Sequence, residues 1–191
     1  TSLDEDNRVL WSEEDMVAIF ENNDKPSGYQ ITSSFAGQPS AEFVLMQQAQ
    51  KGTAVGADVA VYPYDESLTL SRMSTGIYRV NGLSLPEVQQ YAGASFGPGA
   101  FPMIAVSEAG SGRLAFKNVC GLLRLYLTGN DAVRSITVNG NDGELLSGPI
   151  VMNADPDGLP YISAGSDASG EVRLDCGAEG VMLDETSPTP F

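Results

Sequence analysis

Few residues of this chain are of a type and spacing that could carry chemistry. Asp155 and Asp157 stand in the run Asn153-Ala154-Asp155-Pro156-Asp157-Gly158, where two carboxylates and an amide could offer oxygens to a calcium ion. Calcium takes six to eight oxygens from a shaped loop, and an EF-hand loop ends in a glutamate at fixed spacing. This run has no such glutamate, so Asp155 and Asp157 are metal candidates with too few donors of their own. Asp-Pro and Asp-Gly are also ordinary turn formers. Cys120 and Cys176 lie far apart and form no Cys-x-x-Cys motif, which argues against a redox site or a zinc knuckle. They are either one disulfide or two small buried side chains, and a disulfide requires that they approach each other across the core.

Nucleophilic catalysis lacks its base. The chain contains no histidine, so neither a Ser-His-Asp nor a Cys-His arrangement exists within it. Gly93-Ala94-Ser95-Phe96-Gly97 has the Gly-x-Ser-x-Gly spacing, but a serine nucleophile there would have no histidine base. The glycine-rich run Gly93-Ala94-Ser95-Phe96-Gly97-Pro98-Gly99 lacks the Lys and Ser/Thr of a phosphate loop. Paired carboxylates can hydrolyse glycosides, but any acidic protein offers many pairs and none stands out here. The expectation is a non-catalytic protein without a cofactor. Tyr62 and Tyr64 flank Pro63 at the end of an alternating run, and with Trp11, Phe96 and Phe101 they form the aromatic set from which a sugar-stacking surface would be drawn. Aromatics in strands also build cores.

Charge narrows the partners. With 25 acidic against 10 basic residues the net charge is −15. A phosphate backbone would be repelled, which argues against nucleic acid, and anionic lipid is disfavoured for the same reason. At 191 residues and 42% apolar composition, the chain can bury a core without help from metals or disulfides. No apolar run is long enough to span a bilayer as a helix.

The elements that must position these residues read as strands. Alternating or β-branched runs are expected at 8–11, 16–20, 29–34, 42–46, 58–62, 77–80, 102–106, 161–163, 171–176 and 181–183. Segments 29–34 and 42–46 form a hairpin. One short helix is expected in 85–92, from Pro86 at its start to Gly93 at its stop. The richest stretch is 114–152, expected as strand, turn, strand, turn, strand. Gly121 marks a bulge in the first of these, and Asn139-Gly140-Asn141-Asp142-Gly143 is a hairpin turn between the second and third. Leu123, Leu125 and Leu127 share one face, and Ile136 and Val138 share another. Residues 1–184 form one β-sandwich domain. Residues 185–191 are a linker or the start of a further strand or domain.

The ordered runs LAFKNVCGLLRLYLTG and VRSITVNGNDGELLSGPIVM, with VLWSEEDMVAIF before them and VRLDCGAEGVMLDETSPTPF after, resemble the fimbrillin family of Bacteroidales surface proteins over nearly the whole chain. That resemblance implies an antiparallel, transthyretin-like β-sandwich with Greek-key connections. It implies a structural or adhesive subunit, or an accessory component, of cell-surface fimbriae. It implies export as a lipoprotein precursor to the outer membrane. The implied partners are other fimbrial subunits, joined by β-strand exchange, and host or bacterial surface ligands. The alternative on the same scaffold is a carbohydrate- or ligand-binding surface module using Tyr62 and Tyr64. Family chains are trimmed near the N-terminus, which makes Arg8 a candidate trimming site; it also reads as a surface charge. Family chains continue beyond a TPF-like segment, so this chain is expected to be a fragment or a divergent single-domain form. Its start at Thr1 reads as a mature or trimmed terminus.

Overall fold

The structure, a computed structural model, describes residues 1–93, 95–156 and 158–191. It is all-β. In chain order the strands are β1 (Ser2–Leu3), β2 (Val9–Leu10), β3 (Met16–Glu21), β4 (Ser27–Ile31), β5 (Phe43–Gln47), β6 (Asp58–Tyr62), β7 (Thr69–Arg72), β8 (Tyr78–Leu85), β9 (Val88–Gln90) and β10 (Met103–Ser107). They continue with β11 (Lys117–Asn118), β12 (Tyr126–Leu127), β13 (Ala132–Val133), β14 (Ser135–Asn139), β15 (Gly148–Ala154), β16 (Tyr161–Ala164), β17 (Glu171–Asp175), β18 (Val181–Met182) and β19 (Thr189–Pro190). A single 3-10 turn, Ser33–Phe35, lies between β4 and β5.

Two sheets make the sandwich. One has six strands in the order β11-β10-β6-β3-β4-β5, the other four in the order β16-β15-β8-β7. Period-two alternation sends Ala18 and Phe20 of β3, Val59 and Val61 of β6, and Ile104 of β10 to the inner face of the first sheet. There they meet Leu70, Tyr78, Val80, Ile150 and Met152 from the second sheet in one buried cluster. Phe20, Val59, Val61, Val80 and Met152 are fully buried, and burying each such side chain stabilises the fold by about 2 kcal/mol.

The six-stranded sheet is also apolar on its outer face. Val17, Ile31, Tyr62 and Met103 gather there around Trp11, with Ile19, Tyr29, Phe43 and Phe116 partly buried beside them. Trp11 makes edge contacts with the rings of Phe43, Phe116 and Tyr62 at centroid distances of 5.0, 5.4 and 5.7 Å.

A third sheet, β14-β17-β9, stands apart from the sandwich core. It gives the stretch 114–152 a different form from the expected meander. β14 and β15 do not pair with each other. β14 pairs with β17, and β15 pairs with β8 and β16. The Asn139–Gly143 run turns, but Gly140 N–H donates to Gly170 O at 2.8 Å and Leu146 N–H to Ser169 O at 2.7 Å. Gly148, at φ 96°, then swings the chain into the four-stranded sheet. A side chain there would meet Ala168 Cα at 2.8 Å and a left-handed backbone besides. The β15–β16 hairpin is thus nested between β14 and β17.

Two more expectations are corrected. No helix forms in 85–92. Glu87 O accepts from Arg173 N–H at 2.8 Å, Tyr91 N–H donates to Asp175 O at 2.9 Å, and Val88–Gln90 lies parallel to β17. Two helical turns are too short to persist against a sheet edge that satisfies the same backbone groups. The long first strand of 114–152 breaks into β11, an irregular run and β12. The end of the chain is docked: β19 pairs with β12, Phe191 exchanges backbone hydrogen bonds with Leu125 at 2.8 and 2.9 Å, and its ring lies 5.3 Å from that of Tyr91. The hairpin of β4 and β5 forms as the pattern required.

Candidate functional site

The third sheet presents an unfinished face. Ile136 and Val138 of β14 lie opposite Leu174 and Val172 of β17, so four apolar side chains share one side. All four are only half-buried. In a packed sandwich such a face would be covered by a second layer. Here it lines a groove of about 330 Å³ together with Leu122, Leu123, Leu125 and Phe191, and with Leu85, Phe96 and Leu146. Leu122 is 44% exposed and Leu123 65%.

The local sequence explains the opening. Leu122 and Leu123 are adjacent, so a strand would send them to opposite faces. Gly121 precedes them, and residues 119–125 hold no regular strand. The segment therefore drapes over the groove without sealing it. Leu123 was expected to share one strand face with Leu125; no strand forms there, and Leu123 is exposed while Leu125 is half-buried. The consecutive apolar pair was the available hint. Phe191 could not have been assigned to this groove from sequence spacing, because only the β12–β19 pairing brings it there.

The other sequence candidates scatter. Tyr62 is buried at 8% exposure and its hydroxyl donates to Asp15 Oδ1 at 2.9 Å, so it is a core side chain and no stacking surface. Tyr64 is half-buried over Gly28 and its hydroxyl donates to Gln47 Oε1 at 2.9 Å. The two tyrosines are held by different partners and do not form a joint platform. Phe96 and Phe101 pack against each other at 5.0 Å.

Cys120 and Cys176 are both free, so of the two alternatives the bridge is not the one formed. Cys120 packs against the sandwich core, with its thiol 3.8 Å from Ala100 O. Cys176 follows β17, where its N–H donates to Arg134 O at 2.9 Å. Burial pushes the Cys120 thiol up to about 11. Burial and then the Asp175 carboxylate raise that of Cys176.

Asp157 lies outside the described residues. Asp155 is exposed in a turn closed by Gly158 N–H donating to its carbonyl at 3.2 Å. Among the described residues no group of three or more Cys, Asp or Glu side chains converges as a metal site.

Arg8 is 64% exposed, with Nε 2.8 Å from Asp4 Oδ2 and an Nη 3.3 Å from Asp6 Oδ2. Its N–H donates to Asp4 Oδ1 at 2.8 Å, and its carbonyl accepts from Asp4 N–H at 3.0 Å. The bond after Arg8 is thus gripped by the β1–β2 turn. The backbone N–H of Arg8 and then its guanidinium hold the Asp4 carboxyl below the usual range.

No family model, no curated protein and no solved structure matches the chain.

Proposed function

We propose that this chain is a non-catalytic structural or adhesive subunit of cell-surface fimbriae, exported to the outer membrane, that joins its neighbours by accepting a β-strand. The observation that carries the reading is the half-exposed apolar row Ile136, Val138, Val172 and Leu174 facing an open groove. Among the described residues β14 has no strand partner on its free edge, so an added strand there would gain ladder hydrogen bonds and cover the leucines that line the groove. The ordered resemblance of the chain to fimbrillins supports the same reading, and the transthyretin-like, Greek-key form belongs to this proposal. Under it, Arg8 is the site of trimming. Immunogold labelling of intact source cells tests it. Label should lie on surface filaments or their tips, and Val138→Arg should leave the exported subunit unincorporated. Label confined to the periplasm would sink the proposal.

A further inference from the structure

A second groove, separate from the one beside β14 and β17, lies on the outer face of the six-stranded sheet. Its volume is about 970 Å³. Its lining is largely apolar: Ile19, Phe43 and Phe116 are half-buried there, beside Val17, Met103 and Trp11, which are already buried. One end carries carboxylates. Glu21 of β3 lies directly opposite Asp58 of β6 in register, and both line the groove with Tyr29.

Like charges facing each other across adjacent strands repel. The neighbours do little to offset this pair. Among the described residues Glu21 accepts from two hydroxyls, Tyr29 at 2.7 Å and Ser27 at 3.1 Å. Asp58 accepts from Gly110 N–H at 2.6 Å. No ion pair among the described residues involves either carboxylate. Arg8 is the one basic side chain on the lining, and Asp4 and Asp6 already hold it. Burial, then Glu21 and Asp58, push the Tyr29 phenol up to about 12, so it stays a neutral donor and adds no further anion.

We propose that this groove binds an extended protein segment that lays apolar side chains over Ile19, Phe43 and Phe116 and places an arginine or lysine between Glu21 and Asp58. The groove lies along a sheet, whose strand direction an extended chain can follow. A cation at the carboxylate end offsets the repulsion already present there. Arginine suits the site better than lysine, because its planar fork can address two carboxylates at once. The long-range field of a chain with net charge −15 would draw such a segment in and make its capture salt-sensitive.

The test is selection of a displayed library of random dodecapeptides on the intact chain, followed by titration of the selected synthetic peptides. Trp11 is the only tryptophan and lies in the lining, so its fluorescence reports occupancy directly. The expected peptides carry arginine or lysine beside apolar residues and perturb Trp11. Replacing their cation by citrulline should weaken binding at least tenfold, and Glu21→Gln with Asp58→Asn should do the same. Thermal unfolding of the double variant checks that it is folded, and Val138→Arg, at the other groove, should leave peptide binding unchanged. Selected peptides without cations, basic peptides that bind the double variant equally well, or an unperturbed Trp11 would each overturn the proposal.

Discussion

Tyr62 Oη donates to Asp15 Oδ1 at 2.9 Å, and the same carboxylate oxygen lies 2.7 Å from the Thr1 ammonium. The second oxygen of Asp15 accepts from Ser12 N–H at 2.6 Å. A carboxylate with 8% exposure is thus satisfied by a phenol, an ammonium and a backbone amide. This ties the N-terminal segment and the 12–15 turn to the outer face of the six-stranded sheet. Removing the acceptor strands three donors, so Asp15→Ala should cost about 3 kcal/mol. Tyr62→Phe removes one donor and leaves Asp15 its other partners, so it should cost about 1 kcal/mol. Urea unfolding of the two variants should show that ordering.

The groove beside β14 and β17 should behave as exposed apolar surface even in the folded protein. Leu122 and Leu123 are 44% and 65% exposed, so Leu122→Ser with Leu123→Ser deletes little packing and should change stability by no more than about 1 kcal/mol. The same double variant should lower the fluorescence of a bound apolar-surface dye several-fold. A dye signal that does not change would place the exposed apolar surface elsewhere.

β5 is an edge strand that pairs only with β4. Val44, Leu45 and Met46 are 51%, 44% and 59% exposed. A free edge with consecutive apolar side chains and no charge invites pairing with other chains. Leu45→Lys should therefore slow aggregation at high protein concentration, measured by light scattering. Its effect on stability should stay within about 0.5 kcal/mol.

The free thiols give a separate check. Burial raises Cys120 to about 11, and burial and Asp175 raise Cys176; only Cys120 packs against the sandwich core. A thiol reagent near neutral pH should modify Cys176 first and leave Cys120 until the chain is unfolded. Electrophoretic mobility should be the same with and without reductant. A reductant-dependent shift would restore the bridge.

The sandwich was legible because its strands obey a simple period. Val17 and Ile19 against Ala18 and Phe20 gave β3 two distinct faces, and the β4–β5 hairpin followed from local turn residues. Pairing across the third sheet was not legible. Asn139-Gly140 reads locally as a hairpin turn, yet β14 pairs with a strand that arrives only after the β15–β16 hairpin, and no local signal records that detour. The 85–92 segment has sound helix punctuation at Pro86 and Gly93, but its length is marginal and the edge of β17 decides it. Tyr62 and Tyr64 looked alike in sequence. Only the opposite faces of the six-stranded sheet separate them, one toward Asp15 and Trp11, the other toward Gly28. Glu21 and Asp58 gave no signal at all, because only register sets them opposite each other.

Alkaline pH should weaken the fold through two of its tyrosines. Burial, opposed by the Thr1 contact and reinforced by the Asp15 carboxylate, raises Tyr62 to about 12. Burial, with Glu21 and Asp58, raises Tyr29 to about 12. Both lie above the ordinary value of 10.0, so the folded state holds the phenol protons more tightly than the unfolded chain does. Their contribution is fully present below about pH 10 and is lost as pH climbs toward about 12. The urea midpoint should therefore fall between about pH 9 and about pH 11.5 by more than in Tyr62→Phe measured over the same window. Phenolate absorbance should show at least two tyrosines ionising late in the folded protein and none late in urea. Equal slopes for the parent and Tyr62→Phe would mean that the Tyr62 proton is not held by the fold.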